Sequence, residues 1–233
     1  MTTSSAVTAR IAGWIYLVFA VISAVSFLYI PSQIIVAGDA AATANNLVSA
    51  QLLYRIGIFS NLVAMILFVC LVLTLYQLFQ VVNPLLARLM VTWVVMVATA
   101  VIVNLFNKIA PLILLSGADF LAVFEQAQLE ALAYAFLRLY SQGAHLLDSF
   151  SGVWLFPFAL LIIQSRFMPK LLGYLLMLAG LGYLLSSFTA IVLPHYLDTI
   201  SPFIMPMVMA ELPIIFWLLI VGAKDAGSVN PLH

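Results

Sequence analysis

Seven polar or ionisable residues stand inside long apolar runs, where each is costly: Glu211, Asp148, His145, Lys108, Asn104, Arg55 and Asn61. An ionisable side chain near the centre of a bilayer costs at least about 2.5–3.5 kcal/mol on insertion scales. A carboxylate there responds to protons or cations, and a lysine or arginine can supply its counter-charge. His145 and Asp148 are three apart and so share one helix face. Lys108 follows Asn104 and Asn107. Glu211 stands between Pro206 and Pro213, and Pro157 lies in the run that holds Asp148. Each proline removes an N–H and leaves a carbonyl without its donor one turn earlier. Kinked helices with freed carbonyls line cavities inside membrane proteins. Gly143, Gly152, Gly180 and Gly182 would let neighbouring backbones come close.

Helices in lipid must position these residues. Hydrophobic residues make up 66% of the 233 and charged residues 7%, with a mean hydropathy of +1.22. A water-soluble domain carries about 25% charged residues, so this chain cannot cover itself with polar groups. The expected fold is all-α, a polytopic membrane helix bundle forming a single integral membrane domain over residues 1–233. Runs of about 20 apolar residues predict six transmembrane spans at 11–30, 53–79, 88–115, 139–164, 171–193 and 203–223. The first run is too long for the apolar core of a signal peptide and is read as a span. Amphipathic segments are expected outside the membrane at 38–50, with Asp39 as an N-cap, and at 119–137. The tail after Lys224 reads as frayed.

Charge sets the expected orientation. Arg10, Arg88, Arg166, Lys170 and Lys224 fall at one set of span ends, and Asp39, Asp119, Glu125, Glu130 and Asp198 at the other. The basic ends belong in the cytoplasm, which puts both termini inside. Trp14, Tyr29, Tyr54, Tyr76, Tyr140, Tyr174 and Tyr196 fit an interfacial belt. A net charge of zero offers no basic surface for nucleic acid. The one cysteine, Cys70, is expected to be an inert packing residue. No cofactor is expected.

Depth links the polar set. Asn104 is about 16 residues beyond Arg88, Asp148 about 18 before Arg166, and Glu211 about 13 before Lys224, roughly 20–27 Å at 1.5 Å per residue. The expectation is an outward-opening polar pocket walled by spans two, three, four and six. The plainer expectation is that Glu211 pairs with Lys108 or Arg55, that His145 pairs with Asp148, and that the asparagines bond between helices. The echo of Arg10-Ile11-Ala12-Gly13-Trp14 in Lys170-Leu171-Leu172-Gly173-Tyr174 suggests a parallel repeat. That repeat would place Asn61 and Glu211 at related positions.

Several stretches carry a resemblance across nearly the whole chain. They are Ala9-Arg10-Ile11-Ala12-Gly13, Gly38-Asp39-Ala40-Ala41-Ala42-Thr43-Ala44, Arg55-Ile56-Gly57, Leu115-Ser116-Gly117-Ala118-Asp119 and Phe167-Met168-Pro169-Lys170-Leu171-Leu172-Gly173. In these the chain resembles DUF4386, a family of six-helix bacterial membrane proteins known as a domain of unknown function. Glu211 resembles the family's Gly-Glu-Leu site with Ala210 in place of the glycine, and Asn61 stands where the family pattern has Asp. His145 and Asp148 lie in a stretch that departs from that pattern. The resemblance implies fold and membrane location, here the bacterial cytoplasmic membrane, and no activity.

Three functions fit. One is binding, or binding and carriage, of a small molecule or ion in the polar pocket, with Glu211 central and Lys108 and Arg55 as counter-charges. A second is an accessory subunit docked to a membrane-protein partner. A third is a membrane-embedded hydrolase with His145, Asp148 and Glu211 around a metal ion, although no HExxH or cysteine-based signature accompanies them.

Overall fold

A computed structural model describes residues 5–223. Lys224 and the tail beyond it lie outside the described residues. Among those described there are helices and turns but no strand. Six helical stretches are long and apolar enough to cross a membrane: Ser5–Ile34, Gln51–Phe79, Pro84–Leu114, Gln126–Gln164, Lys170–Val192 and Pro194–Ile220.

Local chemistry explains where the chain bends. The first span is α1 (Ser5–Ala24), a π-helical turn (Val25–Tyr29) and α2 (Ile30–Ile34). Pro31 has no N–H for the carbonyl one turn back, and Ile30 N instead donates to Val25 O. Gly38, at φ +80°, makes the left-handed turn that ends this span. Asp39 then caps α3 (Ala40–Ser49), its Oδ1 accepting from Ala42 N at 2.8 Å. α4 (Gln51–Phe79) is unbroken. Asn83 caps α5 (Pro84–Asn104) by accepting from Leu86 N at 3.1 Å, and Pro84 fits the first helical position, where no donor is needed.

A tightened turn at Leu105 separates α5 from α6 (Phe106–Leu114). After a short 3-10 turn at Asp119–Leu121, α7 (Gln126–Val153) and α8 (Leu155–Gln164) form the fourth span, interrupted at Trp154 just before Pro157. α9 (Lys170–Val192) is continuous. A 3-10 turn at Pro194–Tyr196 leads into α10 (Leu197–Met209), and α11 (Leu212–Ile220) completes the sixth span.

The span boundaries differ from the sequence expectation mainly in the fourth and sixth. The fourth begins at Gln126 rather than 139, because residues 126–142 contain neither Gly nor Pro to stop the helix. The 119–137 stretch is therefore a short turn followed by the start of that helix. The sixth begins at Pro194 rather than 203: Pro194 opens a 3-10 turn, where its missing N–H is no loss, and α10 runs on through Pro202 and Pro206 in its interior.

The chain forms two compact units, whose boundaries fall inside α1, α4, α5 and α7. Of the described residues, the first unit holds 5–19, 66–98 and 145–223. Here α9 packs between α8 and α10. Gly152 and Gly180 meet backbone to backbone: a Cβ on Gly152 would lie 2.7 Å from Gly180 O. Gly182 is equally tight against Met207, at 2.9 Å. Phe19, Phe68, Trp154 and Phe158 form a run of ring contacts 4.9–5.6 Å apart.

The second unit holds Ala20–Met65 and Thr99–Ala144, with a core of Ile30, Ile34, Leu47, Tyr54 and Leu137. One end is tied by Gly38 N donating to the Tyr134 hydroxyl at 2.9 Å. Leu28, Phe59 and Phe106 are about two-thirds exposed, while Asn61 and Lys108 are buried at 0% and 4% exposure. Large apolar side chains outward and charged or amide side chains inward are what a hydrocarbon solvent selects.

Candidate functional site

In the first unit the sixth span breaks at Glu211. Pro213 has no N–H for the carbonyl of Met209, so the helix cannot run through. Around the break the bonds tighten to three-residue spacing, with Ala210 N donating to Met207 O and Glu211 N to Val208 O at 3.1 and 3.2 Å. The Glu211 carboxylate accepts from two tyrosines. The hydroxyl of Tyr16, on α1, donates to Oε1. The hydroxyl of Tyr183, on α9, donates to Oε2 at 3.3 Å. Tyr16 is fully buried. Two neutral donors from two other spans thus hold one carboxylate at a helix break.

Tyr183 belongs to a polar face of α9. Three residues on, the Ser186 hydroxyl donates to Asp148 Oδ2 at 3.3 Å. Beside it Ser187 meets Ser149 at 2.6 Å. Asp148 also faces His145, whose Nδ1 is 3.7 Å from Oδ2, the one ion-pair contact among the described residues. Both side chains are about 30% exposed. The pairing expected of His145 and Asp148 is present, and α9 carries partners for both carboxyl groups one turn apart.

The metal set is not assembled. Among the described residues, His, Cys, Asp and Glu form no group of three able to hold a metal ion. Asp148 is taken up by His145 and Ser186, and Glu211 by tyrosines. Nor does Glu211 pair with Lys108 or Arg55, since neither makes an ion pair among the described residues. Arg55 is exposed, so it can keep its head at the polar boundary.

The remaining candidates lie in the second unit. Asn104 Nδ2 donates to Tyr140 O at 3.0 Å, and Asn107 Nδ2 donates to Asn104 Oδ1 at 2.9 Å. Gly143 leaves the space for this contact, as a Cβ there would lie 2.5 Å from Asn104 Oδ1. Asn104 is therefore interhelical glue. Asn61 Nδ2 donates to Gly57 O on its own helix at 3.0 Å, and its Oδ1 has no protein partner. Lys108 Nζ lies 4.3 Å from the Tyr140 ring centroid and 6.0 Å from that of Phe27. Asn61 and Glu211 differ in their partners, a carbonyl of its own helix for the first and two tyrosine hydroxyls for the second.

Three sequence expectations about other residues need correction. Tyr54 and Tyr140 are buried, not in an interfacial belt, and the Tyr54 hydroxyl donates to Lys108 O at 2.8 Å. Cys70 is exposed on its span rather than packed. The partners of Glu211 were not anticipated. Tyr16 and Tyr183 fall away from the span ends, and a tyrosine set well inside an apolar run was the signal available, because its hydroxyl must find a partner there.

No curated protein and no solved structure gives a match. The family model described as a domain of unknown function, DUF4386, matches residues 11–222. That match takes in all seven candidate residues and parts of every span, and the chain belongs to the DUF4386 family.

Proposed function

We propose that this membrane protein binds a small cation, inorganic or organic, at the Glu211 carboxylate. The observation that carries the reading is a carboxylate at a helix break with two tyrosine hydroxyls on it and no cationic side chain among the described residues. A carboxylate offers about four acceptor sites, and the tyrosines use two. Removing one negative charge from water without a counter-charge is expensive, and a bound cation or a proton relieves that cost. The break supports the reading too, because carbonyls freed by Pro213 are cation ligands of the kind found in interrupted membrane helices. Lys108 and Arg55 are not needed as counter-charges. Binding is the supported activity, and carriage across the membrane would be a further property of the same site.

The test is equilibrium binding to the full-length protein in lipid nanodiscs. Na⁺, K⁺ and tetraphenylphosphonium serve as probes for wild type and Glu211→Gln. At least one probe is expected to bind wild type and to lose about tenfold or more in affinity with Gln, equivalent to about 1.4 kcal/mol. Equal affinity for every probe in both proteins contradicts the proposal. A stoichiometric protein partner retained on purification, with no probe bound, would favour the accessory-subunit reading.

The orientation with basic ends in the cytoplasm belongs to the same proposal, as does placement in a bacterial cytoplasmic membrane. Cysteines introduced one at a time as Asp119→Cys and Asn83→Cys, on a Cys70→Ser background, test the topology. A membrane-impermeant maleimide on intact cells is expected to label the first and spare the second. The reverse pattern would invert the topology.

A further inference from the structure

The second unit buries a lysine that has no acceptor. Lys108 is 4% exposed, and its ammonium makes no hydrogen bond or ion pair with any described residue, the bonds of this residue being those of its backbone. Its ammonium sits over the ring of Tyr140 at 4.3 Å, with Phe27 at 6.0 Å. Cation–π contact offsets part of the desolvation of an ammonium but supplies no oxygen to its three N–H groups. A lysine near the end of a span ordinarily extends toward the water layer. This one is 4% exposed as a residue, and holding an ammonium there costs more than a surface position unless something completes it.

Other incomplete groups lie in the same unit. The hydroxyls of Ser23, Ser26 and Tyr140 and the Oδ1 of Asn61 are buried without a partner. Among described residues of both units, five buried side-chain atoms are left in this way, and these four belong to the second unit. Their positions along the helices agree. Ser23, Ser26, Phe27 and Ile30 follow one another within about two turns, across the π-helical turn at Val25–Tyr29. Ile30 packs on Gly57, where a Cβ would lie 3.0 Å from Ile30 Cγ2. One turn along this antiparallel pair brings Ser26 level with Asn61, both at 0% exposure. Lys108 reaches the same layer through Phe27, the neighbour of Ser26. Tyr140 is fixed beside it, its carbonyl held by Asn104.

Native interiors leave few buried polar atoms unpaired, so a group of them at one layer calls for a molecule that pairs them. The chemistry available is one positive charge, several hydroxyls able to donate, and one amide oxygen able to accept, on walls that are otherwise aromatic and aliphatic. We infer that Lys108, with Ser26, Tyr140 and Asn61, binds the singly charged oxyanion head of an amphiphile. Lys108 pairs with the oxyanion, the hydroxyls of Ser26 and Tyr140 add donors, and Asn61 Oδ1 takes a hydroxyl of the same head or a water. The oxyanion can come from a fatty-acid carboxylate or a lipid phosphodiester. This site is separate in chemistry from the one at Glu211 and does not rest on it.

The experiment measures binding of radiolabelled oleate to the full-length protein in phosphatidylcholine nanodiscs, with oleyl alcohol as the uncharged control. Oleate is expected to outbind oleyl alcohol by about tenfold or more. Lys108→Met should remove that preference, and Lys108→Arg should keep it within about threefold, because the charge is retained. The double variant Ser26→Ala, Asn61→Ala should weaken oleate severalfold, and it decides the question if Lys108→Met fails to fold. Glu211→Gln should leave oleate binding unchanged. Competition by phosphatidylglycerol assigns the oxyanion to a lipid headgroup, and its absence assigns it to a free carboxylate. Equal binding of oleate and oleyl alcohol, or an unaltered preference in the Lys108→Met and double variants, would overturn the inference.

Discussion

Gly152→Val is expected to leave no stably folded protein, and Gly152→Ala to lose about 2–3 kcal/mol, the upper part of the range for overpacking a close-packed interior. The reason is what a side chain would strike. A Cβ on Gly152 lies 2.7 Å from the backbone oxygen of Gly180, and a Cβ on Gly180 lies 3.0 Å from that of Gly152. Neither obstacle is the flexible end of a side chain. The only relief is to push α7 and α9 apart, and α9 is the helix that presents Tyr183, Ser186 and Ser187 to the fourth and sixth spans. Gly57→Ala is the matched control. There the obstacle is the Ile30 side chain at 3.0 Å, which can rotate away, so a loss under about 1.5 kcal/mol is expected. Unfolding in mixed detergent micelles, read by circular dichroism, ranks the three. A Gly152→Ala loss no larger than that of Gly57→Ala would contradict the close packing of α7 and α9.

Tyr16→Phe is the second large effect. The substitution keeps the ring and deletes the hydroxyl that donates to Glu211 Oε1. Hydrogen bonds to charged groups contribute about 1.5–3 kcal/mol. Measured side-chain bonds between membrane helices average about 0.6 and reach about 1.7 kcal/mol, because the unfolded helices also find partners. The two ranges meet at about 1.5 kcal/mol, which is the expected loss. A double-mutant cycle with Glu211→Gln separates this bond from packing. With Gln at 211 the lost partner is neutral, so Tyr16→Phe should cost less there, about 1 kcal/mol, the centre of the range for neutral hydrogen bonds. Equal losses in both backgrounds would mean that the hydroxyl and the carboxylate do not act on each other.

The six spans were legible because burial in hydrocarbon demands long apolar runs, and few other arrangements satisfy a chain with 7% charged residues. The Asp39 cap was legible for a local reason, since an N-cap depends on residues within one turn. Boundaries were harder. Gln126–Leu139 is too polar to look like a span, yet its residues continue the helix, and hydropathy cannot see that. The break at Glu211 followed from Pro213. Its tyrosine partners did not, because Tyr16 and Glu211 are 195 residues apart and only tertiary packing joins them. Tyr54 and Tyr140 were misplaced for the converse reason. They stand near the ends of the apolar runs in the sequence but are buried, and position along a run does not fix the direction a helix face points.

Polar residues at similar depth looked like one pocket in the sequence. The structure assigns them different tasks. Asn104 ties two helices, His145 pairs with Asp148, Arg55 is exposed, and Lys108 is buried without an acceptor. Glu211 differs from the rest in combining a charge-bearing group, a helix break and only neutral donors.

Cation binding at that carboxylate is tested most directly by difference infrared spectroscopy of the protein in lipid, with and without Na⁺, K⁺ or tetraphenylphosphonium. At least one cation should shift the carboxyl bands of wild type, and that shift should vanish in Glu211→Gln. Identical difference spectra for wild type and Glu211→Gln with all three cations would show that the carboxylate takes no part.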